Sequence, residues 1–289
     1  QNIDHVLSNS STSSQTAVYT ITGYTTDGSG NLACSGTPLD VDVIVEPDVQ
    51  VTASDKTICN NTSTDLDVNT VYSASNAVRY NYTVSAPAEI SGASNGVAGG
   101  YAFNQNIDQT LTNSSTSPQT VSYTITGYTT DGLGGLVCAG PSITVDVIVE
   151  PDIAITASDK TICSNQSVDL DVNTIYSGSV GMKYSWTVSA PASVTGASDG
   201  PADGQDFATN IGQTLVNTST TEQIVTYTIT GYTVDGLGNL VCASPSITVD
   251  VIVEPNVQVT ASDKTICFNN STDIDVNTIY TASEGVEYT

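Results

Sequence analysis

Three features of the chain predict an all-β fold built from tandem sandwiches. They are a strict 104-residue internal period, short segments in which apolar and polar residues alternate, and turn-forming residues between those segments. Thr, Ser, Asn, Val and Asp dominate the 289 residues. Thr and Val favour strands, and Asn, Asp, Ser and Gly favour turns. Helix is not expected, because no segment holds an apolar period of about 3.6 residues over three turns.

The period is visible in every part of the copy. "QNIDHVLSNSSTS" at residue 1 returns as "QNIDQTLTNSSTS" at 105 and "TNIGQTLVNTSTT" at 209. "DKTIC" stands at 55–59, 159–163 and 263–267, and "VDVIVEP" at 41–47, 145–151 and 249–255. No insertion interrupts the spacing. A unit this long suits an independent domain rather than a solenoid repeat. Its natural boundary follows "VIVEP", because proline lacks an amide donor and suits the end of a strand. Residues 48–151 and 152–255 are therefore expected to be complete domains. Residues 1–47 read as the later part of a domain and 256–289 as the beginning of another, as in a stretch cut from something longer.

Within a copy the strands follow from alternation, in chain order. "IAITAS", "VDLDV" and "KYSWTVSA" come first, with weaker strands near "ASVTG" and "QTLVNT". In "TVSYTITGY", Val121, Tyr123 and Ile125 share one face, and Ser122, Thr124 and Thr126 the other. "DGLGG" is a hairpin turn. "SITVDVIVE" returns with Ile143, Val145, Val147 and Val149 pointing inward. About seven short strands per ~100 residues is the pattern of an immunoglobulin-like sandwich.

Charge removes several function classes. The chain carries 30 acidic and 5 basic residues, a formal net charge of −25. Nucleic acid and anionic lipid both require cationic groups that displace counterions, so neither is an expected partner. No apolar run approaches the ~18 residues of a membrane span, so no membrane insertion is expected in this segment.

The order "YTITGYTTDG…C…ITVDVIVEP", then "ITASDKTICSNQSVDLDV", resembles the PKD-like and other immunoglobulin-like repeats of very large Bacteroidota surface proteins. These include gliding-motility adhesins exported by the type IX secretion system. The resemblance implies a cell-surface, extracellular setting, in which such a rod projects an adhesive tip carried along the cell.

Six cysteines fall into two series, Cys34, Cys138, Cys242 and Cys59, Cys163, Cys267. Two per copy in an acidic, strand-rich chain argue for disulfides and an oxidising compartment. Zinc would want closely spaced Cys or His, and His5 is the only histidine. One pairing keeps each bridge inside a domain, as Cys59–Cys138 and Cys163–Cys242. Immunoglobulin strand order places those two positions at opposite ends of a sandwich, about 30 Å apart, whereas a disulfide needs Cα atoms within about 7 Å. The other pairing, Cys59–Cys242, crosses the junction between domains. Both stand open at this level.

The remaining candidates have ordinary readings beside sharper ones. Asp65 with Asp67, and Asp169 with Asp171, are expected on a solvated strand face. The turns at Asp131 and Asp235 could offer oxygens to a structural calcium, but calcium takes six to eight and no loop supplies them. No other cofactor is expected. Paired carboxylates could cleave glycosides, yet identical sites in every copy do not suit an enzyme. A Ser-His-Asp triad fails because His5 becomes Gln109 and Gln213. Trp186 corresponds to Tyr82 and is expected in the core rather than as a sugar platform. Lys56, Lys160 and Lys264 are expected as strand-edge lysines that discourage sheet aggregation, with an isopeptide to Asn as the sharper alternative. Triplets such as Asn61-Thr62-Ser63 are expected by chance in an Asn- and Thr-rich chain.

The expected function is therefore structural: a stalk segment of a long extracellular filament or surface adhesin, with no enzymatic activity. Its partners would be neighbouring repeats of the same chain or identical chains in a filament. One alternative is a subunit of a self-assembling fibre or sheath completed by strand addition. A second is a polysaccharide-binding module.

Overall fold

The computed structural model describes residues 2–289, and all regular structure among them is β. The chain forms two compact units, one of Gln1–Asn113 with Gln119–Val149, the other of Ser114–Pro118 with Glu150–Thr289.

The first unit begins with strands β1 (Gln15–Ile21), β2 (Tyr24–Thr26), β3 (Leu32–Ser35) and β4 (Leu39–Val45). It continues with β5 (Lys56–Ile58), β6 (Thr62–Ser63), β7 (Val78–Ser85), β8 (Ile90–Ser91), β9 (Thr110–Asn113), β10 (Gln119–Thr130) and β11 (Leu136–Val149). A four-stranded sheet in the order β5-β11-β10-β7 faces a three-stranded sheet in the order β6-β9-β8. All these pairs are antiparallel except β5 with β11, which run parallel. The strong alternation of β10 and β11 sets their register, Val121 opposite Val147 and Tyr123 opposite Val145. Slipping by one residue would turn the whole apolar set to water.

That inner face, with Ile58 of the same sheet, packs Val121, Tyr123, Ile125, Val145, Val147 and Val149 against Leu66, Val68, Ile107 and Leu111 from the other layer and its loops. Each such buried side chain contributes about 1.5–3 kcal/mol. Ile143, expected inward, is only partly buried and borders this core. Beyond the core, β10 and β11 continue as an arm, with register shifts after Thr126 and Tyr128 and a tip at Asp131–Gly135.

The second unit repeats the plan. Its strands are β12 (Lys160–Cys163), β13 (Gln166–Ser167), β14 (Met182–Ser189), β15 (Val194–Thr195), β16 (Gln205–Asp206), β17 (Thr214–Asn217), β18 (Gln223–Val234), β19 (Leu240–Ala243) and β20 (Ile247–Glu254). One sheet runs β12-β20-β18-β14-β16, with β19 on β18, and the other runs β13-β17-β15. Its core is the same set one period later, including Ile162, Leu170, Leu215, Tyr227, Val249 and Val251. Trp186 sits in this core at 7% exposure and donates its indole N–H to the Ser198 carbonyl at 3.0 Å.

Two expected strands are absent. "IAITAS" makes only the single bridge of Thr156 to Asn173, although Ile153 and Ile155 are buried. "VDLDV" buries Val168, Leu170 and Val172, but its backbone makes only single bridges, such as Leu170 to Ile211. Asp65 and Asp169 take left-handed conformations, with φ of 40° and 47°. That breaks the ladder while leaving the alternate side chains in the core. These aspartates therefore head a turn instead of lying on a strand face with Asp67 and Asp171.

The flanking copies keep the same residues in a different environment. Ile3, Leu7, Tyr19, Ile21, Val41 and Val43 line an open cleft of about 300 Å3 beside the β1–β4 hairpin. Their counterparts one period on, Ile107, Leu111, Tyr123, Ile125, Val145 and Val147, are all core. Val259, Ile266 and Ile274 are likewise exposed, whereas Val51, Ile58 and Leu66 are buried.

Candidate functional site

The most site-like feature recurs three times, always around "DKTIC". A shallow cleft of about 300 Å3 is lined by Asp55, Lys56, Asp65 and Asp67. The same cleft returns at Asp159–Asp171 with about 330 Å3 and at Asp263–Asp275 with about 360 Å3. Its groups are already committed to one another. Asp55 accepts the Asp146 amide at 2.9 Å, and Asp159 accepts that of Asp250 at 2.8 Å. Lys56 donates to the carbonyls of Thr64 and Asp65 at 3.0 and 3.3 Å, and its ammonium lies 3.9 Å from the Asp65 carboxylate. Asn106 donates to that carboxylate at 2.7 Å. The ion pair is exposed on both sides and adds less than about 1 kcal/mol. What the lysine does is hold the left-handed aspartate turn by its carbonyl. β5 is a sheet edge, as an edge lysine requires, but the ammonium turns to these carbonyls, and its acidic partner is Asp65 rather than an asparagine.

"DKTIC" can now be taken residue by residue. Asp55 caps a β11 amide, Lys56 clamps the turn, Ile58 enters the core at 6% exposure and Cys59 ends the segment. None of these groups is arranged to attack, protonate or coordinate a substrate.

The calcium candidates Asp131 and Asp235 both head short turns and bond their own loops. The Asp131 carboxylate accepts the amides of Leu133 and Gly135 at 2.9 and 2.7 Å. Asp235 accepts those of Leu237 and Asn239, both at 2.9 Å, and the Asn239 side chain at 2.9 Å. An oxygen aimed at its own loop's N–H groups is turned away from a cation. The Asn239 side chain is the main reason that the Asp235 carboxyl lies below its ordinary value of 3.8. Among the described residues, no group of three His, Cys, Asp or Glu could hold a metal ion.

Cys59 and Cys242 are disulfide-bonded, and Cys34, Cys138, Cys163 and Cys267 are free and exposed. The pairing inside one domain, Cys59–Cys138 with Cys163–Cys242, is therefore not formed. The reason is strand length. Ile58 lies beside Val149 at the end of β11, while Cys138 is eleven residues earlier on that strand. That separation is roughly 36 Å, several times the reach of a disulfide.

Buried tyrosines connect the layers. In the first unit, Gln109 donates to the Tyr82 hydroxyl at 3.1 Å and accepts from Tyr123 at 2.8 Å. Burial pushes the hydroxyls of Tyr80, Tyr123 and Tyr227 up to about 12.

Two recurring devices escaped the sequence reading. The first is the asparagine of "NSST" and "NTST". Asn217 is 3% exposed; its amide donates to the carbonyls of Val253 and Thr221, both at 2.8 Å. Its oxygen accepts the Ser219 amide at 2.9 Å and hydroxyl at 2.7 Å. Asn9 repeats all four bonds, to Val45, Ser13 and Ser11. The second is a clasp in which the glutamate of "VIVEP" takes a serine 29 residues later. Both had a signal, since each residue recurs at the full period.

The sequence pattern of the PKD-like domain family matches residues 1–49, 56–153 and 160–257. Among solved structures, the human desmocollin-1 ectodomain aligns over 84% of this chain and 49% of its own, at 12% identity and a TM-score of 0.34. The Drosophila N-cadherin EC1-4 structure aligns over 84% and 59%, at 10% identity and 0.23. The chicken CNTN1 FN1-FN3 domains align over 82% and 77%, at 10% identity and 0.25. The chain thus spans about half the length of the first of these. A comparison with curated protein sequences returned no match.

Proposed function

Since the chain belongs to the PKD-like domain family, copied in tandem, we propose that it is a structural segment of an extracellular adhesion protein. In its finer form, the reading is a stalk that carries tension along a filament on a bacterial surface, of the gliding-motility adhesin type in Bacteroidota. The observation that carries it is that the recurring polar groups at the clefts bond the chain itself: the lysine of each cleft holds its aspartate turn, and Asp55 and Asp159 each hold a strand amide. No helix among the described residues is long and apolar enough to cross a membrane. We place the domain boundaries after Pro47, Pro151 and Pro255.

The states of the six thiols support the pairing Cys59–Cys242. Applied to the other cysteines, that same offset finds no partner within the 289 residues, and those four are the free ones. A within-domain rule would leave only Cys34 and Cys267 free. In this reading each repeat is bridged to the next, and its partners are its own neighbours.

Single-molecule stretching of the oxidised chain tests the proposal. After reduction the repeats should unfold as separate events, and the total length released should rise, because the bridge between Cys59 and Cys242 no longer shields the chain between them from tension. Unfolding at forces no higher than thermal noise, or an unchanged released length, would refute it.

A further inference from the structure

We infer that the glutamate of each "VIVEP" is a lock, a carboxylate that fastens the end of one repeat's last strand to a loop of the following copy. This rests on the mechanical reading above and adds the residue that holds that loop. The carboxylate of Glu46 accepts the Ser75 amide at 3.2 Å to both oxygens, and also the Ser75 hydroxyl. Glu150 takes the amide of Ser179 at 3.1 and 3.2 Å and its hydroxyl. Glu254 takes the amide of Ser283 at 3.1 and 3.3 Å and its hydroxyl.

A second bond accompanies each clasp two residues earlier in the loop. Ser73 donates its amide to the Thr12 carbonyl at 2.9 Å, Ser177 to Thr116 at 3.0 Å, and Thr281 to Thr220 at 2.9 Å. The receiving loop is in turn fastened to its own sheet. Asn76 donates to the Thr130 carbonyl at 3.2 Å, and Thr130 donates its amide to Ala77 at 2.9 Å. The glutamate thus reaches, through a short loop, the long strand of the following sandwich.

The residues after the glutamate leave little slack. Pro47 fixes its own φ, and Val49 is fully buried under the β10–β11 sheet. A Cβ at Gly140 would lie 1.9 Å from the Val49 carbonyl, whereas the counterpart one period on is Ser244. Glu150 itself is 1% exposed. A buried carboxylate is tolerated only when donors meet it, and bonds to a charged acceptor are the stronger kind. A hinge would need a solvated linker. At Glu150 the charge is buried and is given its donors by the following copy's loop; at Glu46 and Glu254 the same clasp is partly exposed.

The test uses the whole chain and its Glu46→Ala and Glu150→Ala variants, with amide hydrogen exchange as the readout. The inference expects exchange at Ser73 and Ser75 to quicken at least roughly tenfold in the first variant, and at Ser177 and Ser179 in the second, by local opening. The core amides of Tyr123 and Val145, or of Tyr227 and Val249, should exchange as in the parent. Unchanged loop exchange overturns the inference. Equal quickening in loop and core also overturns it, because the glutamate would then hold up the sandwich and not the loop. If an alanine variant fails to fold, Ser75→Ala and Ser179→Ala remove the hydroxyl alone and should quicken the same loop amides by a smaller factor. No change there counts against the lock. These readouts do not depend on the filament reading, so failure of that reading leaves them intact.

Discussion

Replacing Asn217 by alanine should unfold its repeat far more readily than any surface change. The side chain makes four hydrogen bonds in a buried position, two as donor to the carbonyls of Val253 and Thr221, two as acceptor from Ser219. Alanine leaves the Val253 carbonyl without that donor at the end of β20, where the strand leaves the sandwich. A buried polar group stripped of its partner costs about 1–3 kcal/mol, and an ordinary bond contributes about 1 kcal/mol. Allowing for water reaching part of the loop, the sum is about 3–5 kcal/mol, out of the roughly 5–15 kcal/mol of a whole domain. Urea unfolding followed by fluorescence measures it cleanly, because Trp186 is the only tryptophan and lies in the same core. Asn217→Asp sharpens the test. It keeps the acceptor for Ser219 but points a carboxylate oxygen at two carbonyls, so at neutral pH it should be at least as damaging as alanine. Acidification should restore part of the loss, since a protonated carboxyl can donate. A loss below about 1 kcal/mol, or an aspartate milder than alanine at neutral pH, would refute the reasoning.

Gly196→Ala should also be severe, because the backbone has φ of +94° and a Cβ would sit 1.9 Å from the Thr214 carbonyl; thermal melting should fall by more than roughly 10 °C. The buried tyrosines predict alkaline unfolding. Their folded pKa values near 12 exceed the ordinary 10, so their contribution is complete below pH 10 and is lost as pH rises through about 12. Tyrosinate absorbance should appear together with loss of β circular dichroism, and separate midpoints would count against the link. The Asp235 loop has the opposite sign. Its carboxyl is depressed below 3.8, so the loop is intact above that value and loosens as pH falls through the lower folded pKa; the Leu237 and Asn239 amide resonances should shift there while core resonances hold. Non-reducing peptide mapping should recover Cys59 linked to Cys242, and a peptide pairing Cys59 with Cys138 would end the bridged-repeat proposal.

Alternation made the long strands legible in the sequence, because β10, β11, β18 and β20 each bury one face and wet the other. Trp186 and Tyr82 could be placed in the core for the same reason. "VDLDV" misled because its side chains alternate like a strand's while the backbone before them turns at Asp169. Burial pattern reports where side chains go, not whether the ladder is intact. The asparagine and glutamate devices were invisible in kind. Their partners lie 29 and 36 residues away, and polar residues that recur in a polar-rich chain carry no mark of being buried. Only the period singled them out, and period alone does not separate an anchor from an outer-face residue. At Asp131 and Asp235, likewise, composition gives the carboxylate but not the loop amides it meets.

The parallel pairing of β5 with β11 has a consequence for how a repeat yields. Lys56, Thr57 and Ile58 lie beside Val147, Ile148 and Val149, and Lys160 to Cys163 lie beside Val251 to Glu254. One strand enters the sandwich and the other leaves it. Tension applied at the two ends of a repeat therefore slides these neighbours past each other along their length. In such shear the rungs between them are strained together and must rupture as a set, whereas a hairpin pulled open at its mouth peels one rung at a time. The few rungs beside the "DKTIC" of each complete repeat are placed to be the first resistance a pull would meet.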